Sequence, residues 1–343
     1  MISGQSLTNR KTLILVLLLL VQAATTSAQL FQLPTANRAI YEPDGGERFF
    51  VGTVGKPWSS GTFGCVRSDG WQIHEGLDIK CLQRDRSGEP ADSVMASADG
   101  TVAYISTKPA LSNYGKYIIL KHRIVGLEIY TLYAHLSDVR STLRIGQTVK
   151  AGETIATMGR TSNTRQRITK DRAHVHFEIN LLVNERFAEW FQKTSPGERN
   201  DHGDWNGHNL LGLDPRLVLL AQREQGAGFS LLQFIRAQTD LCHVLVRDTH
   251  FPWLRRYTPL IRRNPTADRE GIAGYEIVLN YMGAPYQLIP RAASELRGQS
   301  RVQLLSVNDA EQQKHPCRKL VVRRGAQWQL TDAGHRFIDL LTY

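Results

Sequence analysis

Through the middle of the chain, apolar residues recur at every second position in short runs, the mark of strands with one face turned to a core. Such runs fall at 93–98, 101–106, 117–122, 128–136, 147–150 and 154–158. They are punctuated by Asp99-Gly100, Asn113-Tyr114-Gly115, Gly126, Gly146, Gly152 and Gly159. An Asp-Gly pair between two alternating runs predicts a hairpin, which makes Asp99 a turn residue. Many short strands with turn signals predict a mostly antiparallel β domain.

Two stretches add chemistry to this pattern. In 71–80, Ile73, Leu77 and Ile79 alternate with polar residues, and His74 and Asp78 stand four positions apart. A straight strand would separate that pair by roughly 13 Å, whereas a metal such as zinc holds its ligands at about 2 Å. One shared ion therefore requires the chain to bend between them, and Gly76 at the midpoint tolerates a positive φ or a bulge. In 174–179, His174, His176 and Glu178 occupy one strand face while Val175, Phe177 and Ile179 occupy the other. The apolar face anchors the strand and the histidine face looks into a cleft. His135 closes the run 128–136. Its expected companions on a polar face are Thr131 and Tyr133, with Tyr130, Leu132 and Ala134 turned to the core. His122 has no partner pattern and reads as structural, and His202, Asp204 and His208 read as members of a Gly/Asn/Asp loop.

The ends of the chain set its compartment. Arg10 and Lys11 precede an apolar run at 13–21, and Thr26-Ser27-Ala28 offers small residues for cleavage. This predicts a secretory signal peptide over 1–28. The run is too short for a comfortable membrane span, so the expectation is a soluble protein exported to the periplasm or beyond, with no transmembrane segment after cleavage. The 343 residues leave room for two domains. The first is expected over 29–222, closed by a short helix after Pro215, with Phe49 and Phe50 of its irregular opening segment packing over a sheet edge. The second, 226–343, is expected to be smaller and β-rich (α+β), with a helix beginning in 230–239, strands at 243–247, 275–281, 286–289, 302–307 and 320–323, and a turn at 282–285.

Export makes disulfides plausible among Cys65, Cys81, Cys242 and Cys317. Of the three pairings, Cys65 with Cys81 and Cys242 with Cys317 keep each bridge within one domain; the lack of a CxxC argues against a cysteine metal site. The net charge is +10, to which Arg10 and Lys11 contribute two. A basic exported protein suits an anionic surface such as a cell wall, and export argues against nucleic acid as a partner. Arg255-Arg256, Arg262-Arg263 and Arg323-Arg324 are candidates for gripping wall polymer.

Five pieces occur in order across roughly 65–179: His74-Glu75-Gly76-Leu77-Asp78, the 94–102 segment, Tyr133-Ala134-His135-Leu136, the stretch from Val149-Lys150-Ala151-Gly152 to Gly159, and His174-Val175-His176-Phe177-Glu178. Together they resemble the lysostaphin-type, or LytM-like, zinc endopeptidases that cut peptidoglycan peptides. The resemblance implies a mainly β fold, an antiparallel sheet crossed by a groove. It also implies one zinc ion per chain held by His74, Asp78 and His176, with His135 and His174 as the unligated catalytic pair and Glu178 as support. Two histidines and a carboxylate leave a fourth position open, the pattern of a catalytic rather than a structural zinc site. The loop from Ser162 to Arg172 departs from the family's compact Thr-Gly-rich connection. Some relatives have lost zinc ligands and activate other wall hydrolases, so a quiet regulator is the rival expectation, and a wall-binding module the third.

Overall fold

Nine consecutive buried residues, His174–Leu182, form the strand around which the molecule is built. The structure, a computed structural model, describes residues 30–343 apart from Gln166; the expected signal peptide, 1–28, lies outside the described residues. In chain order the strands of the first part are β1 (Gly64–Arg67), β2 (Gln72–His74), β3 (Leu77–Lys80), β4 (Ser93–Met95), β5 (Gly100–Ser106) and β6 (Tyr117–Ile124). They continue with β7 (Leu127–Ala134), β8 (Asp138–Val139), β9 (Thr148–Val149), β10 (Thr154–Thr157), β11 (His174–Leu182) and β12 (Leu210–Leu213). The main sheet runs β12-β11-β7-β6-β5-β9, and β3 lies beside β12 on the same edge of β11. All these pairings are antiparallel. The β6–β7 hairpin turns through Val125 and Gly126, both at positive φ (49° and 79°), a turn whose twist matches that of its strands.

The expected hairpin at Asp99-Gly100 does not form. β4 pairs with β10 in a separate three-stranded sheet, while β5 pairs with β6 and β9. Gly100 serves a close approach instead: a Cβ there would sit 2.5 Å from Nδ1 of His122 and 2.7 Å from the Lys121 carbonyl. Asp99 still acts as a connector, its carboxylate accepting from the Ala151 amide and the Lys150 ammonium, both at 2.8 Å. His122 is buried, with Nδ1 against the Asp99 carbonyl and Nε2 against the Thr131 hydroxyl. Phe49 and Phe50 pack into the core beside β3, and the Val51 amide donates to the Asp78 carbonyl, so this irregular segment covers the edge of β3.

The second part carries a four-stranded antiparallel sheet made of β13 (Cys242–Val246), β14 (Gly274–Leu279), β15 (Pro285–Arg291) and β16 (Val302–Val307), in the order β15-β14-β13-β16. A small hairpin follows, β17 (Val321–Arg324) with β18 (Gln327–Leu330). Helices start where side chains cap them: Asp214 before Pro215–Gln225, Ser230 before Leu231–Arg236, and Thr331 before Asp332–Thr342. The last helix buries Phe337, Ile338, Leu340 and Leu341 and docks on Phe187–Thr194, where the Trp190 indole donates to Asp339 at 2.8 Å. One hydrophobic cluster runs without a break from β11 to β14 and this helix. No helix among the described residues is long and apolar enough to cross a membrane.

The cysteine pairing differs from expectation. Cys65 is bonded to Cys317 across 252 residues, with Cα atoms 5.4 Å apart; Cys81 and Cys242 are free and buried. The reason is the bend after β2. It sends β3, and with it Cys81, into the main sheet, while Cys65 stays on the β1–β2 hairpin that faces the second part. The Cys81 thiol instead meets the Asp92 carboxylate at 3.1 Å, and burial together with that charge pushes it up to about 11. Burial alone pushes the Cys242 thiol up to about 12. Peptide mapping without reductant is expected to recover one bridged pair, Cys65–Cys317, and reduction to lower the unfolding free energy by roughly 2–5 kcal/mol because the closed loop is long. A Cys242–Cys317 peptide would contradict this topology.

Candidate metal centre

The main sheet places its metal-ligand candidates by register. Asp78 on β3 lies opposite His176 on β11, and Ala134 on β7 lies opposite His176 on its other side. His74 arrives from the adjoining hairpin, where it pairs with Gly64. Between His74 and Asp78 the chain leaves the strand at Glu75-Gly76, so the two side chains meet as the spacing argument required. Gly76 achieves this through proximity and not through a positive φ: a Cβ there would lie 2.3 Å from the Phe177 carbonyl oxygen and 2.8 Å from Glu178 Cγ.

His74 Nε2, Asp78 Oδ1 and His176 Nδ1 form a triangle with sides of 3.1, 3.1 and 3.0 Å. They are the group among the described residues whose donor atoms can hold one ion, and all three residues are buried. Tautomers follow from the opposite ring nitrogens. His74 Nδ1 faces the Thr62 carbonyl at 2.7 Å and His176 Nε2 faces Glu178 Oε1 at 2.8 Å; both oxygens only accept, so these nitrogens carry the protons. That leaves a lone pair on each imidazole and a carboxylate oxygen converging on one point. Such an arrangement repels itself unless a cation sits among the atoms, and ring nitrogens donating outward are how metal-binding histidines are held. Burial opposes charge on His176, yet hydrogen bonds to Asp78 and Glu178 outweigh it and push the imidazole up to about 10. The donor set fits zinc.

The supporting groups include residues that no motif announced. Arg67 on β1 holds the second Asp78 oxygen at 2.5 Å. The Tyr114 hydroxyl donates to Glu178 Oε1 at 2.7 Å, and Asn180 donates to Oε2 at 2.7 Å. Tyr114 stood in the sequence only as part of a turn signal; its role arises from tertiary packing of that turn over β11.

Two further imidazoles flank the triangle. His135 and His174 have ring centroids 4.9 Å apart, and His135 is 6.0 Å from His176. Nδ1 of His135 donates to the Thr161 carbonyl at 2.9 Å and Nδ1 of His174 to the Arg172 carbonyl at 2.6 Å, so in the neutral rings Nε2 carries the lone pair, that of His174 lying 3.5 Å from Asp78 Oδ1. Burial lowers both from the ordinary histidine value, His135 far below it. The face expected for His135 is reversed. Tyr133 belongs to the main core and Thr131 is buried on the same side, whereas Tyr130, Leu132 and Ala134 share the site's side of the sheet. His135 joins the site because it sits one residue past β7 in the left-handed region, at φ 62°, which breaks the strand alternation.

A groove of about 630 Å³ runs over these side chains. Ser162, Thr164, Ile168 and Arg172 of the long basic loop line one wall. His202 is tied to the Tyr104 hydroxyl at 2.9 Å and Asp204 caps the Ala188 amide at 2.8 Å, so those loop residues form no metal cluster. Of the arginine pairs, Arg255 and Arg256 both engage Glu185, Arg263 engages Asp268 and Arg323 engages Asp309. Local carboxylates thus already answer much of that positive charge.

Residues 72–187 match the model of peptidase family M23. Over 108 residues the chain is 38% identical to an uncharacterized metalloprotease of Haemophilus influenzae, a match covering 32% of this chain and 18% of that protein. Over 106 residues it is 38% identical to the murein hydrolase activator NlpD of Salmonella dublin, covering 31% and 22%. Over 95 residues it is 36% identical to lipoprotein NlpD of Yersinia enterocolitica, covering 28% of this chain and 84% of that one. The chain thus spans less than a quarter of the length of the first two of these relatives.

Proposed function

The chain belongs to peptidase family M23, and from that premise we propose that it is an exported zinc metalloendopeptidase hydrolysing peptide bonds in the stem peptides or cross-links of peptidoglycan. The observation that carries this reading is the set of five converging residues, three offering unprotonated donor atoms to one ion and two more offering free imidazole nitrogens beside them. His74, Asp78 and His176 would hold the zinc. When bound, zinc supplies Lewis acidity, bringing a water molecule's pKa toward neutrality and polarising the scissile carbonyl.

The chain's own groups do the rest. Arg67 and Glu178 fix the orientation of Asp78 and His176, and Tyr114 fixes Glu178. His135 and His174, kept neutral by burial, stand ready to accept a proton at Nε2 and, once charged, to donate to a developing oxyanion or leaving amine. We take 29–222 as the peptidase unit and 226–343 as a unit that tunes access or wall localisation.

The second reading, an activator of other wall hydrolases, draws its support from the similarity to NlpD of Salmonella dublin, a murein hydrolase activator. His135→Asn separates the two. Asn accepts the left-handed backbone of this position, so the variant is expected to keep one zinc per chain. Its cleavage of cross-linked muropeptides is expected to fall by roughly 10²–10⁴-fold, the usual worth of a positioned proton-transfer group. Unchanged cleavage would remove His135 from the chemistry; zinc binding with no cleavage by the unaltered protein would favour the activator.

A further inference from the structure

A second cavity, about 380 Å³, opens off the metal-site groove. Ile73, Glu75, Asn113 and Tyr114 wall both spaces, and Glu75 directly follows the ligand candidate His74. The far wall comes from the second part of the chain and includes Arg318 and Met282. The Cys65–Cys317 bridge holds Arg318 there: it ties the short turn Pro316–Arg318 to the β1–β2 hairpin that carries Ile73, two residues before Glu75.

The charges in this cavity are unusual in their pairing. Arg199 and Asp201, also on its wall, answer each other at 2.8 Å. Arg318 and Glu75 do not. Among the described residues neither makes an ion pair or a side-chain hydrogen bond, and the Arg318 Nε is buried without any partner atom. The two are near enough to feel one another: burial lowers the Arg318 guanidinium from its ordinary value while the Glu75 charge acts the other way. Arg318 has the Phe337 ring 6.0 Å from its guanidinium carbon but no countercharge in contact, and half-buried charges without a countercharge are costly in the empty protein. A ligand group bearing both signs relieves both at once. A guanidinium fork suits a carboxylate, through two charge-assisted hydrogen bonds, and a carboxylate such as Glu75 suits an ammonium.

We propose that this cavity is a specificity subsite that takes an α-amino acid head group, an ammonium and a carboxylate on one carbon, with Arg318 on the carboxylate and Glu75 on the ammonium. Resting on the peptidoglycan reading above, it selects stem peptides in which a diamino-dicarboxylic acid residue presents a free head group at the end of its side chain. Arg318 is contributed by the C-terminal part, which gives that part a role in substrate choice.

The test uses the full, zinc-loaded chain and two synthetic stem tetrapeptides that differ in one group, a free side-chain carboxylate in one and its carboxamide in the other. Calorimetry is expected to show the free form bound at least about tenfold more tightly, the scale of one charge-assisted contact, and Arg318→Met to reduce the preference to less than about twofold. A peptide with its side-chain amine acetylated is expected to lose affinity for the unaltered chain but not for Glu75→Gln, a second variant that serves if Arg318→Met folds poorly. Equal binding of the two peptides, binding of neither, or a preference that survives Arg318→Met overturns the assignment. Wall cleavage by the same preparation keeps the two readings apart. Cleavage without head-group preference sinks the subsite alone, and preference without cleavage sinks the hydrolase alone.

Discussion

His176→Ala is expected to abolish stoichiometric zinc binding and to lower peptidoglycan cleavage by roughly 10³-fold or more, since a metal Lewis acid supplies several kcal/mol of transition-state stabilisation. The substitution removes one vertex of the donor triangle and leaves His74 Nε2 and Asp78 Oδ1 at 3.1 Å, with His174 Nε2 at 3.5 Å from the same Asp78 oxygen. It also takes a partner from Glu178, which is fully buried but keeps Tyr114 and Asn180. A cost of about 1–3 kcal/mol follows from that lost contact, small enough for the fold to persist. Circular dichroism of the variant should therefore match the unaltered protein while metal analysis does not. A variant that still carries one zinc per chain would move the metal away from this triangle.

The second large effect is expected at a residue with no functional group. Gly76→Val forces a branched side chain into a space where even a Cβ would come within 2.3 Å of the Phe177 carbonyl. Overpacking of this kind costs typically about 1–3 kcal/mol. The strain here falls on the contact that sets Asp78 opposite His176. Separation of β3 from β11 should loosen the triangle and weaken zinc binding by at least about 100-fold, beyond the 10–100-fold typical of losing an outer supporting group. Competition with a fluorescent chelator measures this directly. Unchanged affinity would mean that Gly76 does not govern the approach of the two strands.

Much of this site was legible from spacing because strand geometry is simple. The period-two run His174-Val175-His176-Phe177-Glu178 maps onto two faces, and the structure keeps that map: Val175 and Phe177 in the core, the histidines on the other side. His135 broke the same rule for a reason alternation does not carry. A left-handed residue after the strand changes face, so Ala134 and His135 both end near His176. Arg67, Tyr114 and the carbonyls of Thr62, Thr161 and Arg172 were invisible because their roles come from tertiary approach, and a backbone carbonyl has no residue signature.

The disulfide shows the same limit at longer range. Keeping each bridge within one domain required β1 and β3 to stay together, and the bend at Gly76 separates them and leaves Cys65 beside the second part. Asp99-Gly100 misled in a similar way, since a glycine needed for close packing against His122 looks the same in sequence as one needed for a turn. The C-terminal helix was not among the expected elements, although Thr331 as a cap ahead of Phe337, Ile338, Leu340 and Leu341 at helical spacing would have marked it.

A zinc centre that cuts wall peptides is open to one decisive assay, counting new amino groups released from purified sacculi by the full chain after its zinc content has been measured on the same sample. The expected result is one zinc per chain and a steady rise in free amines as cross-linked muropeptides convert to monomers, with both lost on chelation and restored by zinc. One zinc per chain with no amine release from walls of any cross-link chemistry would contradict it.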